Sequence, residues 1–250
     1  MEELFNKVLL STGQKILKIP WGHKKFLITG QRCVAWLPKV NGHVNLKINK
    51  KKFIYLISPS KIPNNKFYKN LELTLRSGKV SFFQLRLKKE NLQQKIIIGR
   101  KIRDICKKYK VKFLINNSPT LAKTLNADGC HLGQNDMKIN KARKIIKKKI
   151  IGITCHNSLK LAKLAIKSGA DYIAFGAFYL TKTKITKFRA NKKILNSFRK
   201  ISKKPIVAIG GINNLNYKKL LLNNVNFLAI SSYIWKNKKY KPEEAVKELR

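Results

Sequence analysis

The sequence predicts a (β/α)8 TIM barrel preceded by an N-terminal extension, on three observations. Eight short apolar runs rich in Ile, Val and Phe recur from residue 53 onward. The stretches between most of them carry apolar residues at helical spacing among lysines, and polar residues gather at the carboxyl ends of the runs. Runs that are apolar on both faces and separated by helices describe parallel strands joined by right-handed crossovers, and eight of them describe a closed barrel. With 250 residues and 44% hydrophobic composition, the chain has enough apolar surface for such a core.

Taken in order, Leu4 to Ile16 has the spacing of a short amphipathic helix, Phe26-Leu27-Ile28 and Cys33-Val34-Ala35-Trp36 read as strands, and Lys47 to Lys52 reads as a basic linker. Residues 1–52 do not share the later rhythm and are set apart as the extension; residues 53–250 are assigned to the barrel. Its strands are expected at Phe53 to Ser58, Ser81 to Arg86, Lys112 to Asn116, Gly129 to Leu132, Ile151 to Thr154, Tyr172 to Phe175, Ile206 to Ile209 and Phe227 to Ser231. Between the fifth and sixth, Leu159 to Lys167 keeps Leu161, Leu164 and Ala165 on one face and ends before Ser168-Gly169, where glycine offers the left-handed conformation that closes a helix. The phrase Ala170-Asp171 before the sixth strand echoes Asn126-Ala127-Asp128 before the fourth, as suits a repeated β/α unit.

Charge narrows the function classes less than its size suggests. The 56 Lys and Arg against 11 Asp and Glu give +45, which points toward nucleic acid, anionic membrane or phosphorylated ligands. Lys supplies 47 of those charges and Arg 9, alongside much Ile and Asn. That bias reads as nucleotide composition acting on codons, because a surface selected for phosphate favours the planar fork of Arg. Specific nucleic-acid binding is therefore not expected. Cys33, Cys106, Cys130 and Cys155 form no CxxC pair and no zinc spacing, which suits a reduced protein. No run reaches the length of a membrane span and Met1-Glu2-Glu3 opens on acid, so a cytoplasmic location is expected.

Barrel enzymes carry chemistry on the loops after their strands. Gln84, Arg86 and Lys88 alternate at the end of the second strand, aimed at one point. Asn116 and Asn117 follow the third. His131, Gly133, Gln134 and Asp136 follow the fourth, and Thr154-Cys155-His156 the fifth. Gly176 and Thr181-Lys182-Thr183-Lys184 follow the sixth, Gly210-Gly211 the seventh, and Ser231-Ser232 the eighth. Glycines beside hydroxyls and backbone N–H groups suit a phosphate monoester. Arg86, Lys88 and Lys184 form a second cationic group, and Asp136 is the carboxylate available for a divalent cation. Two anion sites and one metal position suit two phosphorylated small molecules bound together. Each residue also has a plainer reading: Gly210-Gly211 as a turn, Lys88 and Lys184 as solvated lysines, Asp136 as a helix cap, His156 as a satisfied polar group.

These segments, in particular Gln84 to Lys88, Leu114 to Asn117, Ala127-Asp128-Gly129-Cys130-His131-Leu132-Gly133-Gln134-Asn135-Asp136-Met137, Ile151 to His156, Gly176 to Lys184, Ala208 to Ile212 and Ile230 to Ser232, resemble the thiamine phosphate synthase family in order and spacing across roughly residues 53–236. The resemblance implies a Mg2+-dependent transferase that joins a pyrimidine diphosphate to a thiazole phosphate. By position it implies that Gln84, Arg86, Lys88, Asn116, Thr154 and Lys184 surround the pyrimidine diphosphate, with Arg86, Lys88 and Lys184 as catalytic cations. Asp136 would bind Mg2+, while Thr181, Thr183, Gly211, Ser231 and Ser232 would hold the thiazole phosphate. The second metal position carries Asn117 where the family usually has Asp, and Ala177 and Leu180 replace prolines common before Lys184. Asn117 favours a rival, the related metal-free thiazole tautomerase with a proton-transfer role for His156. Gln84, Arg86, Lys88, Asp136 and Lys184 disfavour it, because a tautomerase has no diphosphate to grip. A third reading is a non-catalytic polyanion-binding barrel. Self-association is left open by the sequence.

Overall fold

The computed structural model describes residues 52–62, 64–181 and 188–249, together with the strand pairs at 8–9 and 15–16. The chain divides into two compact units, 1–42 and 43–250. In the first, β1 (Val8–Leu9) pairs antiparallel with β2 (Lys15–Ile16). This corrects the expected helix over Leu4 to Ile16. Gly13 lies between the two strands, and glycine disfavours a helix interior where apolar spacing alone would allow one. The strands expected at Phe26–Ile28 and Cys33–Trp36 lie outside the described residues.

In the second unit, eight parallel strands close on themselves. They are β3 (Ile54–Ile57), β4 (Val80–Leu85), β5 (Lys112–Asn116), β6 (Gly129–Leu132), β7 (Ile150–Thr154), β8 (Tyr172–Gly176), β9 (Ile206–Ile209) and β10 (Phe227–Ile230), with β10 pairing back onto β3. Every expected run is a strand to within one or two residues at each end. Seven helices follow strands in turn: α1 (Lys66–Arg76), α2 (Leu92–Lys108), α3 (Pro119–Thr124), α4 (Ile139–Ile146), α5 (Leu159–Lys167), α6 (Lys193–Ile201) and α7 (Tyr217–Leu221). Two short ones, α8 (Ser232–Trp235) and α9 (Pro242–Lys247), follow β10. None of the helices among the described residues is long and apolar enough to cross a membrane.

Strand side chains alternate between two cores. One parity fills the barrel with Tyr55, Phe82, Leu114, Ile150, Tyr172, Val207 and Phe227. The other, including Leu56, Phe83, Phe113, Ile151, Ile173, Ala208 and Leu228, packs under the helices. Gly152 makes the interior fit: a Cβ there would lie 1.8 Å from the Tyr172 ring, so a side chain and that ring cannot share the layer. Loops on the carboxyl side are fixed by caps. Asn91, Ser118 and Ser158 accept hydrogen bonds from Gln94 N, Leu121 N and Leu161 N, which sets where α2, α3 and α5 begin. Helix α5 closes at Ser168 with Gly169 at φ +92°, as its sequence predicts.

Candidate active site

A cavity of about 1250 Å³ opens at the carboxyl ends of the strands. Gln84, Arg86, Lys88, Asn116, Asn117, Asp136, Thr154 and Thr181 all line it, so residues spread over nearly 100 positions of sequence meet at one opening. Gly211, Ser231 and Ser232 lie at the ends of β9 and β10 but outside the lining, which Gly210 and Ala229 supply from those strands. Thr183 and Lys184 lie outside the described residues.

The cationic wall is anchored by the backbone beside it. The buried Ser58 hydroxyl accepts from Arg86 N at 2.8 Å and donates to Pro59 O at 2.9 Å, while Lys88 N donates to Ser60 O at 3.1 Å. Burial holds the Arg86 guanidinium below its ordinary pKa. None of the ion pairs among the described residues includes it. A half-buried cation without a carboxylate is the electrostatic mark of a site whose counter-charge is a ligand.

Across the opening, Gly133 N donates to Asp136 Oδ2 at 2.6 Å, and Gln134 Nε2 donates to the Thr154 carbonyl at 2.5 Å. Asp136 is thus held by its own loop and does not cap α4, whose N-cap is Lys138. Asn117 sits at φ +63°, a conformation that Asn and Asp tolerate better than other side chains, with its N–H on His131 O at 2.8 Å. His156, at φ +53°, stacks on Phe188 with ring centroids 4.3 Å apart. The glycine pair makes room for the chain beside it: a Cβ on Gly211 would lie 2.2 Å from Leu180 O, and one on Gly210 would lie 2.4 Å from Ala177 Cβ. Tyr179 N bonds Gly210 O at 3.1 Å, so the pair lets the 177–180 segment pack against the end of β9.

Sequence reasoning passed over Tyr55 and Tyr172 and named His131 only as a strand-end polar residue; the three form the floor. Tyr55 bonds both Gln84 (2.7 Å) and Tyr172 (2.8 Å), and His131 joins Tyr172 to Thr154 at 2.8 Å on each ring nitrogen. The available signal was parity: His131 stands on the inward face of β6, as Gln84 does on β4. Burial lowers the His131 pKa from 6.5 to about 4. An unfolded chain takes up this proton near pH 6.5 and the folded one only near pH 4, so stability is lost as pH falls through that window. The expected loss attributable to His131 is about 3 kcal/mol. Urea midpoints of the wild type and His131→Asn between pH 7 and pH 4 measure it, and the variant should show the shallower decline.

Comparison with known proteins gives the same reading as the geometry. Residues 54–234 match the family model described as thiamine monophosphate synthase. The chain is 68% identical over 204 residues to the thiamine-phosphate synthase of Pelagibacter ubique, covering 82% of this chain and 98% of that protein. It is 39% identical over 188 residues to the thiamine-phosphate synthase of Hyphomonas neptunium, covering 73% and 85%. The solved structure of thiamine phosphate pyrophosphorylase from Pyrococcus furiosus superposes with a TM-score of 0.70 at 28% identity, covering 80% of this chain and 95% of that one. With a closed barrel, a cationic pocket at its carboxyl face and relatives matched over nearly their whole length, the chain is a transferase that belongs to the thiamine monophosphate synthase family.

Proposed function

We propose that the barrel joins 4-amino-5-hydroxymethyl-2-methylpyrimidine diphosphate to 4-methyl-5-(2-hydroxyethyl)thiazole phosphate, giving thiamine phosphate and diphosphate. The observation that carries this reading is the desolvated Arg86, in no ion pair among the described residues, in one cavity with Lys88, Gln84, Asn116, Thr154 and Asp136. The bond from the pyrimidine methylene carbon to the diphosphate oxygen breaks, and its electron pair leaves with diphosphate. The thiazole nitrogen then supplies the pair for the new carbon–nitrogen bond. No proton has to move, which suits a pocket of amides, hydroxyls and cations.

Arg86 and Lys88, with Lys184, take the role of neutralising the leaving group. Gln84, Asn116 and Thr154 orient the pyrimidine, while Thr181, Thr183, Gly211, Ser231 and Ser232 are assigned to the thiazole phosphate. Among the described residues no group of three or more His, Cys, Asp or Glu could hold a metal ion. Asp136 nevertheless keeps Oδ1 clear of hydrogen bonds in the described residues, and Asn117 lines the same cavity. Oxygen ligands few in number, completed by substrate phosphate, fit Mg2+. When bound, Mg2+ would offset charge on the departing diphosphate. The lining described runs from Tyr55 to Ala229, and the reaction is assigned to the 53–250 barrel. The buried, free Cys106, Cys130 and Cys155 support action in a reducing compartment, the cytoplasm.

The test is product formation from both substrates under a Mg2+ titration, run beside Asn117→Asp. The wild type should form thiamine phosphate, and the second carboxylate should lower the Mg2+ concentration for half-activation by about tenfold. Absence of product from both proteins, while thiazole phosphate still binds, would overturn the proposal.

A further inference from the structure

The floor of the cavity is one continuous chain of hydrogen bonds through six side chains: Asn116, Gln84, Tyr55, Tyr172, His131 and Thr154. Five of them line the cavity, from β5, β4, β3, β6 and β7 in that order along the chain of bonds, Tyr172 being the exception. Tyr172 is fully buried on β8 and is absent from the described lining. It nevertheless connects the two halves of the chain.

The direction of every bond follows from one amide. Gln84 Nε2 donates to Asn116 Oδ1 at 2.6 Å, which leaves Gln84 Oε1 facing Tyr55. A carbonyl oxygen only accepts, so Tyr55 spends its single hydroxyl proton there. Tyr55 oxygen must then accept from Tyr172, and Tyr172 in turn has no proton left for His131. His131 therefore donates from Nδ1. Bonded to two neutral hydroxyls, the imidazole keeps Nε2 as an acceptor, and the Thr154 hydroxyl donates to it.

We propose that Tyr172 is a positioning residue that fixes the polarity of this relay, so that Thr154 Oγ1 offers the cavity only acceptor lone pairs while the amides of Gln84 and Asn116 offer donors. The reading rests on the function proposed above and deepens it. A ring with an exocyclic amine and an adjacent ring nitrogen, such as an aminopyrimidine, matches that pattern. A ring in which the amine is replaced by a carbonyl presents an acceptor to an acceptor. Discrimination then comes from leaving a buried polar group unpaired. Because Tyr172 sits in mid-chain, its loss should act on specificity without touching substrate.

Two measurements test this. In the wild type, 15N NMR of the His131 ring should show the proton on Nδ1; a proton on Nε2 would overturn the polarity outright, with no variant needed. The second compares calorimetric affinities for the aminopyrimidine diphosphate and its 4-oxo analogue in the wild type and Tyr172→Phe. The wild type should favour the amine at least a hundredfold. The variant should move the His131 proton to Nε2 and cut that preference at least tenfold, with thiazole phosphate affinity unchanged within twofold. A preference that survives Tyr172→Phe, or equal losses for all three ligands, would sink the positioning role. Failure of the wild type to bind either pyrimidine diphosphate would instead sink the proposed function, and the relay's role in recognition with it.

Discussion

Arg86→Met should lower kcat/KM for the pyrimidine diphosphate by about 10³-fold while the melting temperature holds or rises slightly. The two halves of that expectation share one cause. Burial lowers the Arg86 pKa, and no carboxylate among the described residues offsets its charge. An apo protein that carries such a cation bears a desolvation cost, and a diphosphate would remove it through bidentate, charge-assisted bonds. Deleting the guanidinium removes both the cost and the binding. The backbone anchor would survive, because Ser58 bonds the Arg86 N–H and not its side chain. Arg86→Lys should lie between, since an ammonium keeps the charge but loses the planar fork. Steady-state kinetics beside a thermal melt separates the outcomes. Lost activity with a clearly lower melting temperature would make Arg86 a structural residue.

The barrel was legible because its strands announce themselves twice. Leu56, Phe83 and Ile151 are apolar toward the helices, Phe82, Leu114 and Val207 are apolar toward the interior, and the runs they make stand out from lysine-rich connections. The opening was legible for a related reason: Gln84, Arg86, Asn116, Asp136 and Thr154 fall where apolar runs stop, and the fold brings all such stops to one face. The floor was not. Tyr55 and Tyr172 are 117 residues apart, on strands that do not pair, and a tyrosine inside an apolar run reads as core. Only closure of the barrel gives each hydroxyl its partner. The glycine pair also has a packing role the sequence did not show, because its missing side chains make room for Ala177 and Leu180. The pairing of Val8–Leu9 with Lys15–Ile16 was hidden by spacing that a helix would share.

The echo between Asp128 and Asp171 also acquires a physical cause, which leads to a second large effect. Asp128, just before β6, accepts from Phe113 N on β5 at 2.9 Å. Asp171, just before β8, accepts from Ile151 N on β7 at 2.8 Å, and Asn226, just before β10, accepts from Ile206 N on β9 at 2.8 Å. Each staples one strand start to the next at the closed end of the barrel, and each is met by a basic side chain, Lys112, Arg143 and Arg199 respectively. Their surroundings differ. The Asp128 side chain is 34% exposed and Lys112 56%, whereas the Asp171 side chain is 0% exposed. Arg143 also donates to the carbonyls of Lys147 (2.7 Å), Lys149 (2.6 Å) and Gly169 (2.9 Å). Arg143→Met would take the guanidinium away from a buried carboxylate and remove those bonds together. The expected cost is about 3–5 kcal/mol, which lowers the melting temperature by about 10 °C for a domain of this size. Lys112→Met should cost under about 1 kcal/mol, because water already screens its pair. Urea denaturation of both variants gives the comparison directly. Adding Asp171→Asn to Arg143→Met should recover part of the loss, since the buried charge that Arg143 had offset is then gone. Equal costs for Arg143→Met and Lys112→Met would mean that burial does not set the strength of these staples.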